Sequence, residues 1–116
     1  MSNDLKFNLS IIELHAELLK ILGSPRRLMI LTTIADKERS VGDIADIVEL
    51  KSQIVSQNLR LMKDKGAVTS RKDGKYVLYR CANTKFCQGA RLIREALEEE
   101  ITNKYVKNTN LDVKPN

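Results

Sequence analysis

The chain has 116 residues, with 20 lysines and arginines against 15 aspartates and glutamates and a formal net charge of +5. That length holds one small domain with one core and leaves no room for a catalytic domain beside it; the charge favours a polyanionic partner. No apolar run approaches the roughly 20 residues that span a bilayer, and no basic stretch with an apolar segment and cleavage site opens the chain, so the expectation is a cytoplasmic protein without a membrane partner.

Residues 1–8 read as a flexible arm. Ile11, Leu14, Leu18 and Leu22 then fall on one helical stripe, which Ile12 and Leu19 widen beyond the needs of a single core contact. Ser24 and Pro25 supply a cap and a first-turn proline for a second helix through Leu28, Leu31, Ile34 and Ala35. Ser40 followed by Asp43 matches the capping-box spacing and starts a third helix at about Val41, whose apolar residues Ile44, Ala45, Ile47 and Val48 end near Leu50.

A tight turn through Leu50, Lys51 and Ser52 leads to a fourth helix from about Gln53 to Lys65. Val55, Leu59 and Met62 share one face, and Gln53, Ser56, Gln57 and Arg60 share another, so one face is core and the other is open to a partner. Gly66 ends the helix, with Lys63 and Lys65 in the last turn where the dipole favours cations.

The period then switches to alternation. Val77, Tyr79 and Cys81 lie on one side of a strand and Tyr76, Leu78 and Arg80 on the other. Asp73 and Gly74 form the preferred two-residue hairpin turn, in which both positions take positive φ. Arg71, Lys72 and Lys75 make the ribbon basic. Phe86, Ala90, Ile93, Leu97 and Ile101 then repeat at helical spacing as a long last helix, and the polar stretch from Asn108 to Asn116, with Pro115, is expected to fray. The expected domain is 9–105 and the tail 106–116.

Three helices, a recognition helix, a hairpin and a last helix describe a winged helix-turn-helix, mainly α with a small β-hairpin. So small a domain cannot cover the excess apolar surface of its first and last helices, so these pack against a second copy. The dimer would read a pseudo-palindrome on double-stranded DNA with half-sites roughly 34 Å apart. The expected DNA-binding residues are Ser52, Gln53, Ser56, Gln57, Asn58 and Arg60, with Arg71, Lys72 and Lys75 expected on the flanking backbone. Glutamine pairs bidentately with adenine, and arginine with guanine or phosphate; Asn58 stands between a groove contact and a bond within the protein.

No nucleophile sits in a recognisable motif with a base, so no enzyme is expected, and no cofactor. Two cysteines without a secretory signal fit reduced thiols better than a structural disulfide. Cys81 and Cys87 carry three readings: inert packing, a redox or sulfur-sensing thiol pair, or ligands of a soft ion such as trivalent arsenic. The last would need a third ligand, for which His15 is the candidate.

The run Leu-Gly-Ser-Pro-Arg-Arg-Leu at Leu22 to Leu28, Ser-Val-Gly-Asp-Ile-Ala at Ser40 to Ala45, Val-Ser-Gln-Asn-Leu at Val55 to Leu59, the Gly66-Ala67-Val68 exit and the Asp73-Gly74 wing together resemble the ArsR/SmtB family of winged-helix repressors. The resemblance runs from about Leu18 to Leu97. It implies a homodimer that occupies an operator and represses transcription until an inducer binds or a thiol is modified. The family's usual metal ligands are absent: Ser40 and Gly42 stand where paired cysteines occur, the last helix has no histidine, and Glu98, Glu99 and Glu100 lack nitrogen partners for zinc. A persulfide-sensing branch places one cysteine in the second helix, where this chain has Thr32, and another late in the last helix, where it has glutamate. The alternative is a constitutive winged-helix module that shapes DNA or binds a protein without an inducer.

Overall fold

A computed structural model describes residues 8–109. Five helices and three short strands follow the order α1 (Leu9–Leu22), α2 (Pro25–Thr33), β1 (Arg39–Ser40), α3 (Val41–Val48), α4 (Ser52–Asp64), β2 (Val68–Asp73), β3 (Tyr76–Cys81) and α5 (Thr84–Thr109).

Local chemistry sets these boundaries. The Asn8 side chain accepts from the amides of Ser10 and Ile11 and opens α1. Ser24 Oγ accepts from Arg27 N at 3.4 Å with Pro25 in the first turn, and Ser40 Oγ accepts from Asp43 N at 3.2 Å, so both serine caps are present, the second as the Ser40 half of the expected capping box. Gly66, at φ +81°, takes the left-handed conformation beyond α4 that L side chains resist. Glu49 holds the same region at φ 57° between α3 and α4, a position where glycine would have been the unstrained choice.

Ile30, Leu31, Ile34, Ile44, Val55, Leu59, Met62 and Val68 form the buried centre. They bring α2, α3, α4 and the root of β2 together around the stripe read from the fourth helix. Each such side chain contributes about 1.5 to 3 kcal/mol by leaving water. The core therefore fixes which face of α4 remains outside.

The hairpin differs from expectation in two ways. Arg39 and Ser40 pair with Tyr79 and Leu78, so the sheet has three antiparallel strands in the order β1-β3-β2. Asp73 is itself paired with Tyr76, which leaves Gly74 and Lys75 as the two-residue loop. Gly74 has φ +60° and Lys75 is not among the positive-φ residues, the pattern of a turn with glycine at its first central position rather than one needing positive φ at both.

Helix α5 has 26 residues and runs past the expected boundary at 105 to Thr109; residues 1–7 and 110–116 of the expected arm and tail lie outside the described residues. Its N-terminal part packs on the body, against β3 and α2. Leu92, Ile93, Leu97, Ile101 and Tyr105 are exposed, as are Leu9, Ile11, Ile12 and Leu14 on α1. The radius of gyration is 17.8 Å, against about 13 Å for a compact chain of this length. Helices α1 and α5 flank an apolar groove of about 870 Å³, with Leu14, Leu18, Phe86, Ile93 and Leu97 among its walls.

Candidate nucleic-acid interface

Burying Val55, Leu59 and Met62 leaves Ser52, Gln53, Gln57 and Arg60 exposed on α4, with Ser56 half-buried at the edge. Gln53, Gln57 and Arg60 recur at four and three residues, one ridge of the helix. Among the described residues, none of the three has a side-chain hydrogen bond or ion pair. Lys51, the residue before the helix, provides no side-chain cap, so the amides of Ser52 and Gln53 are left for an acceptor from outside, where the helix dipole favours an anion.

Asn58 is different. Its Nδ2 donates to Ile54 O at 2.8 Å, and its Oδ1 accepts from Arg27 Nη1 at 3.5 Å. Arg27 Nε also donates to the carbonyl of Ile21, so one guanidinium joins the end of α1 to the middle of α4. Of the two roles expected for Asn58, the bond within the protein is the one present.

On the wing, Lys72 and Lys75 are exposed at the tip, and Lys75 Nζ lies 5.4 Å from the centroid of the Tyr76 ring. Arg71 is engaged: its Nε donates to the Glu38 carboxylate oxygens at 3.0 and 3.1 Å, and Nη2 adds a further contact. The hydrogen bond from Arg71 holds the Glu38 carboxyl below the ordinary glutamate range, and Glu38 in turn raises the guanidinium. Lys63 Nζ donates to Ser70 Oγ at 2.7 Å and ties the last turn of α4 to β2. Glu38 and Ser70 were not singled out by the sequence; Lys63 was read only for the helix dipole, and Arg27 only as part of the Leu22 to Leu28 run. The partners of the long-range contacts stand 31 and 33 residues apart, a separation with no local pattern.

The cysteines correct an expectation. Cys81, ending β3, and Cys87, in the first turns of α5, are joined as a disulfide with their Cα atoms 6.8 Å apart, where reduced thiols were expected. The expectation rested on compartment alone; the turn through Asn83, whose Oδ1 accepts from Lys85 N at 2.9 Å, folds α5 back onto β3 and brings the two together. Both cysteines belong to the core. His15 lines the groove between α1 and α5, away from them, and among the described residues no group of three or more His, Cys, Asp or Glu is placed to hold a metal ion. No described helix is long and apolar enough to cross a membrane.

A family described as bacterial regulatory proteins of the arsR family matches residues 24–70, from the cap of α2 into β2. The chain is 40% identical over 82 residues to a biofilm growth-associated repressor of Agrobacterium fabrum, covering 71% of this chain and 67% of that protein. The chain belongs to the ArsR family. It is also 34% identical over 73 residues to the HTH-type transcriptional repressor SmtB of Mycobacterium tuberculosis, covering 63% of this chain but only 54% of that protein, so about half of the SmtB length is matched. A homodimeric winged helix-turn-helix DNA-binding domain from Mycobacterium bovis, solved in solution, superposes with a TM-score of 0.71 at 28% identity, covering 85% of this chain and 92% of that one. These ArsR relatives are transcriptional regulators rather than enzymes.

Proposed function

We propose that this chain is a homodimeric transcriptional repressor that binds a pseudo-palindromic operator in duplex DNA within the cytoplasm. One observation carries the reading: the buried stripe of α4 leaves Gln53, Gln57 and Arg60 as a partnerless ridge of groups that suit base edges and phosphates. Lys72 and Lys75 supply cations for the flanking backbone. The apolar groove between α1 and α5 is the surface a second copy would cover, in keeping with the homodimeric relative from Mycobacterium bovis. Two α4 helices would then enter successive major grooves, with release following an inducer or modification of the thiols.

Selection of bound duplexes from a random pool, with affinities measured across salt concentrations, tests this. The reading expects a preferred sequence bound about 10³-fold or more above random duplex. A flat preference at every salt concentration would instead favour a constitutive DNA-architectural or protein-interaction module.

A further inference from the structure

Helices α2 and α5 enclose a cleft of about 230 Å³, enough for a small molecule and too small for a folded domain. Leu31 and Thr32 form one wall; Cys87, Gln88, Arg91 and Arg94 form the other. Arg94 Nη1 donates to Thr32 Oγ1 at 3.2 Å and joins the walls. Cys87 lines this cleft and Cys81 does not, although the two sulfurs are bonded. The pair is thus asymmetric in its surroundings: both cysteines are buried, but Cys87 forms part of the cleft wall and Cys81 ends β3 away from it.

The bond also joins two elements with separate tasks. Strand β3 is half of the wing, and α5 lines the groove of the expected dimer contact. Beside the disulfide, the junction has core packing around Cys81, Cys87 and Ala90, the Ala82 N to Ala67 O hydrogen bond at 3.0 Å and the Asn83 turn. A bond across such a junction constrains how the wing sits relative to the helix that sets dimer geometry.

We propose that Cys81 and Cys87 form a reversible dithiol–disulfide site, entered at Cys87 through the α2–α5 cleft, whose state sets operator affinity. A small dithiol is the reductant. Its thiolate attacks Cys87 Sγ, the Cys81–Cys87 bond breaks, and Cys81 leaves with the electron pair and takes a proton. The reductant's second thiol then displaces Cys87 as a thiol and departs as a cyclic disulfide. Reoxidation uses a hydroperoxide: the Cys87 thiolate takes the terminal oxygen and becomes a sulfenic acid as an alcohol leaves, and Cys81 attacks that sulfur with loss of water. Arg91 and Arg94 bring positive charge to the cleft, which Asp36 also lines, and each arginine faces a glutamate, at 3.7 Å for Glu95 and 3.9 Å for Glu98. The regulatory part rests on the operator-binding reading; the thiol chemistry does not.

Mass spectrometry of the full chain treated with oxidised glutathione separates the two sulfurs. Cys81→Ala is expected to take up one glutathione at Cys87, at least tenfold faster than Cys87→Ala takes it up at Cys81. Equal rates, or faster uptake at Cys81, would overturn the assigned entry. Affinity for the selected duplex is then measured with the wild type oxidised by hydroperoxide and reduced by dithiothreitol. A difference of at least fivefold, absent in the double alanine variant, is expected; equal affinities, or the same shift in the double variant, would overturn the regulatory role. If neither state prefers any duplex, the operator reading fails, and the labelling rates still decide the thiol site.

Discussion

Arg71 on the wing is clasped by Glu38, which precedes β1, through two hydrogen bonds of 3.0 and 3.1 Å from Nε and a further contact from Nη2. A residue expected to meet phosphate is therefore already paired in the unbound protein, and DNA must compete with a carboxylate for it. Glu38 sits below its ordinary range, so the stabilisation from this pair is fully present above that range and is lost only as pH falls through the lowered value. An NMR titration of the Glu38 carboxyl carbon should show a depressed midpoint that returns to normal in Arg71→Ala. Because the pair is exposed, Glu38→Gln should raise operator affinity by no more than about fivefold and steepen its salt dependence. A normal midpoint in the wild type would mean the clasp is not formed in solution.

Gln57 and Asn58 are neighbours with opposite assignments. Gln57→Ala should weaken the preferred duplex by about 1 to 3 kcal/mol while leaving thermal stability and random-duplex binding unchanged. Asn58→Ala should cost about 1 kcal/mol of folding stability through its bonds to Ile54 and Arg27, with the ratio of specific to random binding preserved. The converse pattern, measured by melting and by competition binding, would exchange their roles.

Glu49→Gly should stabilise the fold by up to about 1 kcal/mol, because glycine accepts φ 57° without the Cβ clash, although it gives back part of the gain as unfolded-state entropy. Denaturant melts check this. A loss of stability would show that the Glu49 side chain contributes more than its backbone costs.

Leu97 is 58% exposed on α5 at the groove shared with α1. Leu97→Glu should leave helix content intact while sedimentation shifts from dimer to monomer and operator affinity falls more than tenfold, since a charge buried between copies lacks a partner. A dimer of unchanged strength would place the contact elsewhere.

The sequence made visible what depends on neighbours in the chain. Ser24 with Pro25, Ser40 with Asp43, Gly66, and the division of α4 into Val55/Leu59/Met62 and Gln53/Ser56/Gln57/Arg60 are local signals, and each has its structural counterpart except that Ser56 is half-buried at the edge of the open face. What lay hidden depends on distance. Strand β1 has two residues, too few for alternation to register, and exists because β3 offers an edge to Arg39 and Ser40. The shift of the wing turn by one residue follows from Asp73 pairing with Tyr76, a register that composition does not encode. Glu38 and Arg27 meet partners across the fold, and the Cys81–Cys87 contact depends on how tightly the Asn83 turn closes.

Hydroxyl-radical footprinting on the selected duplex decides whether paired α4 ridges read DNA from a twofold assembly. Two equivalent protected segments are expected on one face of the duplex, about one helical turn or roughly 34 Å apart, both lost in Gln57→Ala at matched concentration. One isolated protected patch, or the same footprint from the Gln57→Ala protein, would contradict that reading.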